Sequence, residues 1–300
     1  MDGKIKKILS SLLALSFALA ASAQALPALL IGSDPASLAA GGASVARSAD
    51  AFAVDNGAAA MSLSPKTFSV AATYGMWAPK TADNMLVGLG AFYRVGDRFA
   101  LGLSGRMLQD KPYDITSASG QVTGQFTPSD IVAGLGLSYA VADGFSLGVT
   151  ARMVYSAIGE SMKGTAFGAD VTAMYAAGPL SAALGVCNLG SAISYGSDSY
   201  AQPMLARAGG AYSAGGFTAS LEADYLFSGA LMAGLGLEYC IADIVSLRGG
   251  FHYGDAAKAL PTYASLGLGL QFAGVHLDVT FLTASKTLGN TLLFGLGYAF

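Results

Sequence analysis

The last eleven residues, Asn290 to Phe300, read NTLLFGLGYAF. Counting back in steps of two from Phe300 gives Tyr298, Leu296, Phe294 and Leu292, an apolar series that ends in aromatics. The residues between them, Ala299, Gly297, Gly295, Leu293 and Thr291, are mostly small. Side chains on a strand alternate between two faces, so this stretch is a ribbon with one greasy face and one compact face. A soluble sandwich could end on such a strand. Here, however, the pattern recurs back to about residue 66, and a long series of short alternating segments is the mark of a membrane-spanning barrel.

Composition points the same way. The chain has 300 residues, of which 53% are hydrophobic and 12% charged, against about a quarter charged in soluble domains. Yet no uninterrupted apolar run of about 18 residues, the length of a spanning helix, follows the N-terminus. High hydrophobicity without such a run leaves the closed barrel, the other structure that satisfies every backbone group in lipid. The formal net charge is -3. Without a basic excess, nucleic-acid binding is not expected.

The first 23 residues read as a signal peptide. Lys4, Lys6 and Lys7 precede an apolar core from Ile8 to Ala20, and Ala21-Ser22-Ala23 supplies an A-x-A cleavage site before Gln24. Residues 24–65 are rich in Ala, Gly and Ser without a strand period, and Pro27, Pro35 and Pro65 with Gly32, Gly41, Gly42 and Gly57 break regular structure. This segment is too apolar for a disordered tail, and its expected place is inside the barrel as an N-terminal plug with one or two short helices.

From residue 66 to 300 the sequence predicts an all-β, antiparallel transmembrane barrel of about 14 strands, at about 67–77, 84–95, 98–108, 129–141, 144–157, 164–177, 179–189, 204–213, 216–227, 230–241, 243–254, 262–272, 274–283 and 290–300. Short turns at Val95-Gly96-Asp97, Ala142-Asp143-Gly144, Ala214-Gly215-Gly216 and Ile241-Ala242-Asp243 contrast with long connections at 109–128, 191–203 and 254–261. The long ones are assigned to the cell exterior. Tyr139, Tyr155, Tyr175, Tyr212, Tyr225, Tyr239, Tyr253 and Tyr298 fall near strand ends, where an aromatic girdle belongs. Cys187 and Cys240 fall on strands that are not sequential neighbours, so two free thiols are expected.

Strand parity turns the charges inward: Arg94, Arg106, Arg152, Arg207 and Arg248 on one side of the tally, Asp170, Glu222, Asp224, Glu238 and Asp278 on the other, with His252 and His276. Either these groups pair with one another and with the plug, or they form a selective field across the lumen. Inward glycines such as Gly90, Gly102, Gly148, Gly234 and Gly236 make room for another backbone. The recurrent Gly-Leu-Gly triplets lack a following helix and are no dinucleotide fingerprint. His276 and Asp278 share a strand face, a weak catalytic signal, and without a G-x-S-x-G, metal-ligand or phosphate-loop motif neither enzymatic activity nor a cofactor is expected.

The run from Ala25 to Pro65, followed by a strand ending Tyr74-Gly75-Met76-Trp77-Ala78-Pro79, resembles the start of the PorV/PorQ family. The matching positions are Leu30, Ile31, Asp34, Gly42, Ala43, Val45, Ala46, Asp50, Ala51, Asn56 and Ala58, with later matches around Pro128, Asp170, Asn188 to Gly190 and Pro203 to Gly210. Pro35-Ala36-Ser37, Ala40-Gly41 and Gly57 depart from the family run. The resemblance implies a plugged fourteen-stranded barrel of the broader FadL type in the outer membrane of a Gram-negative, Bacteroidetes-like bacterium. It implies an accessory role in type IX secretion, with the translocon and cargo C-terminal domains as partners besides outer-membrane lipid. Two alternatives stand beside it: a FadL-like transporter, with the inward Leu86, Phe92, Met174 and Met232 lining a path for a hydrophobic ligand, and a structural barrel without a secretion role.

Overall fold

The computed structural model describes residues 26–80 and 82–300; the signal peptide expected over 1–23 lies outside the described residues. In chain order the strands are β1 (Phe68–Trp77), β2 (Asn84–Val95), β3 (Phe99–Gln109), β4 (Tyr113–Thr116), β5 (Val122–Phe126), β6 (Ser129–Ala142), β7 (Phe145–Ala157), β8 (Lys163–Ala177), β9 (Leu180–Gly190), β10 (Ile193–Tyr195), β11 (Asp198–Tyr200), β12 (Leu205–Ala214), β13 (Phe217–Leu226), β14 (Ala230–Ile241), β15 (Val245–Tyr253), β16 (Tyr263–Phe272), β17 (Val275–Ser285) and β18 (Gly289–Ala299). Fourteen of them form one closed antiparallel barrel, in which each strand pairs with its neighbour in the chain. The other four make two small hairpins, β4–β5 and β10–β11, set into the connections between β3 and β6 and between β9 and β12.

The barrel closes where the C-terminal ribbon meets β1. Ser69 stands opposite Ala299 and the register runs without a slip to Met76 opposite Leu292. The Thr67 and Phe68 amides both donate to the Phe300 carbonyl, at 2.7 and 3.0 Å, and the Phe68 and Phe300 rings lie 5.5 Å apart. Along β18 the alternation holds as expected: Phe294, Leu296, Tyr298 and Phe300 are exposed, and Thr291, Leu293 and Ala299 are buried. All barrel strands lie within two residues of the spans read from sequence. Lipid enforces that agreement, since outward positions must be apolar and the barrel has no other solvent-like face.

Antiparallel pairing puts the short turns at one end, here the turn end, and the long connections with both hairpins at the other, the loop end. Exposed Tyr93, Tyr139, Tyr175, Tyr212, Tyr239 and Tyr298 ring the turn end, and Tyr74, Phe167, Tyr225 and Tyr253 the loop end, as interfacial aromatic girdles do.

Residues 26–65 hold a 3-10 turn (Pro27–Leu29) and three helices of four or five residues, Pro35–Ala39, Ala53–Asn56 and Ala60–Leu63, one more helix than the sequence reading allowed. No helix among the described residues is long and apolar enough to cross a membrane. Ala39, Ala40, Ala51 and Met61 are fully buried. Their surroundings are the inner faces of opposite walls, β15 to β18 for the first helix and β2, β3, β6 and β7 for the other two. Inward glycines allow this approach. A Cβ on Gly148 would overlap the Ala59 amide, one on Gly236 the Ala40 carbonyl, and one on Gly250 the Gly41 amide. Gly41 itself is left-handed, φ +66°, where the chain turns between β14 and β15.

Candidate functional site

Two kinds of space survive inside the barrel. At the loop end, a pocket of about 610 Å³ opens beneath the second hairpin, β10–β11. Its walls come from almost every loop-end element: Trp77 from β1, Asn84 from β2, Leu108 and Asp110 from the end of β3, Asp130 and Ser156 from β6 and β7, Tyr195 and Tyr200 from the second hairpin, and Leu260 and Leu288 from the last connections. Leu26, Pro27 and Ile31 form its floor. The second hairpin is held over the pocket by Tyr195, 4% exposed, whose hydroxyl donates to Ser156 Oγ at 2.7 Å.

Below that floor the lumen is polar and nearly filled. A cavity of about 80 Å³ remains among Asp55, Arg106, Arg152, Asp170, Arg207 and Asp224, and a vestibule of about 260 Å³ opens toward the turn end among Arg47, Asp50, Lys66, Glu238, His276 and Asp278. The inward charges meet as local groups. Arg152 Nε donates to Asp170 Oδ2 at 2.8 Å, and its Nη1 reaches Asp55 at 3.1 Å. Arg207 bridges Glu222 and Asp224 at 3.0 and 2.8 Å, the second pair lying directly across β12 and β13. Arg248 pairs with Glu238, at 3.0 Å and again directly across strands, and with Asp278. Arg47 from the N-terminal segment also pairs with Glu238.

Two of the inward arginines lie outside these groups. Arg106 donates to the Ile31 carbonyl, with Nε and Nη2 unpartnered, and Arg94 donates to the Ser64 carbonyl near the turn end. Glu222 accepts the Ser44 and Val45 amides, both at 2.7 Å. Wall and N-terminal segment are thus cross-linked by charge-assisted bonds, roughly twice as strong as neutral ones.

Of the residues that carry the PorV/PorQ resemblance, Asp34, Asp50 and Asn56 meet at one node, while Gly42 and Ala43 lie apart from it. Asp34 caps the first helix, accepting the Ala36 and Ser37 amides at 2.9 and 3.2 Å and the Asn56 side-chain amide at 3.0 Å. Asp50 stands beside the same carboxylate in the turn-end vestibule and accepts the Phe52 amide at 2.8 Å. Gly42, left-handed at φ +80°, and Ala43 turn the chain past Tyr263 and His252. The expected apolar path is split. Leu86 and Met232 belong to the loop-end core with Trp77, Leu108 and Leu293, whereas Phe92 and Met174 pack on Val54 and Met61 in the turn-end half. Cys187 and Cys240 are unpaired. His276 lies against Gly297, and the carboxylate of Asp278 is taken by Arg248. Among the described residues no His, Cys, Asp and Glu group is placed to hold a metal.

Sequence reading missed Asp55 and Arg47 as pairing partners, and Trp77, Asp110, Asp130 and Tyr195 as pocket walls. Parity was the available signal for the acids. Leu108 and Val132 point inward, so Asp110 and Asp130, each two residues away, continue the same face.

Comparison with solved structures gives the fold. The Ralstonia pickettii toluene transporter TbuX matches at TM-score 0.64 and 13% identity, over 90% of this chain and 98% of that one. The Pseudomonas putida toluene transporter TodX matches at 0.64 and 12%, over 90% and 97%. A Pseudomonas aeruginosa FadL homologue matches at 0.56 and 14%, over 90% and 96%. The chain has the FadL-type fourteen-stranded barrel fold. TbuX and TodX are toluene transporters by name. No family model matches the chain, and no curated protein matches it. Membership of the PorV/PorQ family, expected from the residues before β1, therefore finds no support, and neither does the type IX role attached to it.

Proposed function

We propose that the protein is an outer-membrane channel that admits hydrophobic small molecules from the cell exterior. The observation that carries this reading is the loop-end pocket: about 610 Å³, concave, and walled mainly by Trp77, Leu108, Tyr195, Leu260 and Leu288. Space of this size with apolar walls and few polar groups suits a small hydrophobic ligand. The filled, ion-paired lumen beneath it argues against a diffusion pore for polar solutes. The neighbours named above support the reading at the level of fold. In this orientation the loop end faces outward, the N-terminal segment acts as the plug, and the cleaved leader delivers the chain to the outer membrane.

The test is uptake. Deleting the gene in its host should slow accumulation of a hydrophobic probe while leaving a small sugar unaffected. Restoring the chain with Ala157→Phe, which fills the pocket from its wall, should fail to rescue. Unchanged accumulation in the deletion strain would sink the reading.

A second reading, a secretion accessory of the PorV type, rests on the resemblance before β1 and on the exposed β4–β5 hairpin, the first of the two. Tyr113 and Val122 are 54% and 59% exposed on it, and a hairpin standing free of the barrel offers edges for a partner. Its test is recovery of translocon or cargo proteins with the tagged chain from native membranes.

A further inference from the structure

The loop-end pocket carries charge of one sign. Among the described residues, its lining includes Asp110 and Asp130 and no lysine, arginine or histidine. The two acids share a wall. Asp130 sits opposite Leu108 in the β3–β6 ladder, and Asp110 follows two residues beyond Leu108, tied there by its amide to the Pro128 carbonyl at 3.0 Å. Their partners are neutral. Asn84 donates its side-chain amide to Asp110, and Ser156 faces Asp130 across β6 and β7.

Lys80, Lys111, Lys258 and Lys286 each stand within two residues of a lining residue in the chain, and all four are exposed rather than turned into the pocket. Lys111, 59% exposed on the rim, pairs with Asp83 at 2.7 Å. Arg106 lies under the floor, donating to the Ile31 carbonyl and lining the 80 Å³ cavity instead. Burial pushes the Asp110 carboxyl above its ordinary pKa, opposed by the Asn84 hydrogen bond, as expected for an acid with no cation at hand.

Around the acids stand the rings of Trp77, Tyr195 and Tyr200. A cation over such rings is attracted by their faces, and beside two carboxylates it gains a Coulomb term that partial desolvation strengthens. A carboxylate in the same place meets repulsion from both acids. We propose that the pocket, on the reading that it admits hydrophobic molecules, prefers hydrophobic cations of the aryl- or alkylammonium class over neutral hydrocarbons, and disfavours hydrophobic carboxylates.

Trp77 is the single tryptophan of the chain and lines the pocket, so its fluorescence reports occupancy. The full chain, purified in a non-ionic detergent, is titrated with a phenylalkylamine, the matching phenylalkane and the matching phenylalkanoate. The expected order of affinity is amine, alkane, alkanoate, with about tenfold between steps for one unit charge in a partly screened site. Asp110→Asn with Asp130→Asn should bring the three together and leave the alkane unchanged; each single substitution should close part of the gap, which keeps the test usable if the pair fails to fold. An alkanoate binding as tightly as the amine, or an order that survives both substitutions, overturns the proposal while alkane binding keeps the pocket itself. If none of the three perturbs Trp77, the pocket reading falls and the proposal with it.

Discussion

The loop-end pocket and the lumen below it use the same inward strand faces in opposite ways. Above Ile31 the inward residues are Trp77, Leu86, Leu108 and Leu293, and the two acids on that wall have only neutral partners. Below it, Arg152, Arg207 and Arg248 each bridge two carboxylates, and the backbone of residues 31–61 occupies the space that glycines leave. The upper half leaves a pocket open, and the lower half is already occupied by the chain itself. On the proposed reading, closure would reside in the N-terminal segment rather than in the barrel wall, whose hydrogen-bonded ring is complete without it.

Removing the segment is the strongest way to break that contrast. A chain lacking residues 26–65 should form a barrel whose interior is lined by charges and glycine, and planar-bilayer recordings should change from closed to a steady ohmic current. Gly148→Val is the milder version: its side chain would overlap Ala59, an overpacking that costs about 1–3 kcal/mol, and intermittent openings are expected. A deletion variant that folds and stays closed would move the barrier to the wall.

Next in size is the ion-pair belt. Arg152→Met leaves Asp55 and Asp170 buried without their cation, a loss of about 3–5 kcal/mol for breaking a buried pair. Because Asp170 also holds the β9 bulge through the Asn188 amide at 2.7 Å, the cost should appear in unfolding of the barrel as well as in opening. Heat-modified migration on gels and denaturant titration in detergent should both register it.

The sequence made the barrel legible because lipid imposes one rule on every strand, and β18 states that rule in eleven residues. The hairpins were not legible. Their strands have three to five residues, too few for a period of two to stand out in the sequence. Parity turned the lumen charges inward but could not choose their partners beyond the strictly opposite pairs, Arg207 with Asp224 and Arg248 with Glu238. Arg152 meets Asp55, and Glu238 meets Arg47, only because residues 26–65 fold back between the walls. The loop-end pocket was out of reach for a related reason: its walls come from strand ends and loops spread over the whole chain, and nothing local marks them as neighbours.

The smallest effect should be the most selective. Asp34→Ala removes the cap of the first short helix together with the tie to Asn56, and loss of such a cap costs about 0.5–2 kcal/mol. None of the bonds lost belongs to a barrel ladder, so the cost should fall on the seating of the N-terminal segment alone. A change of about 1.4 kcal/mol shifts an equilibrium tenfold. The frequency of brief openings in bilayer recordings should then rise by about that factor, while denaturation of the barrel stays where it was. Asp34→Asn, which keeps an oxygen for the Ala36 or Ser37 amide, should fall between the two. If barrel denaturation shifts as much as the opening frequency, segment and wall unfold as one unit and the division between a self-occupied lower lumen and an independent wall fails.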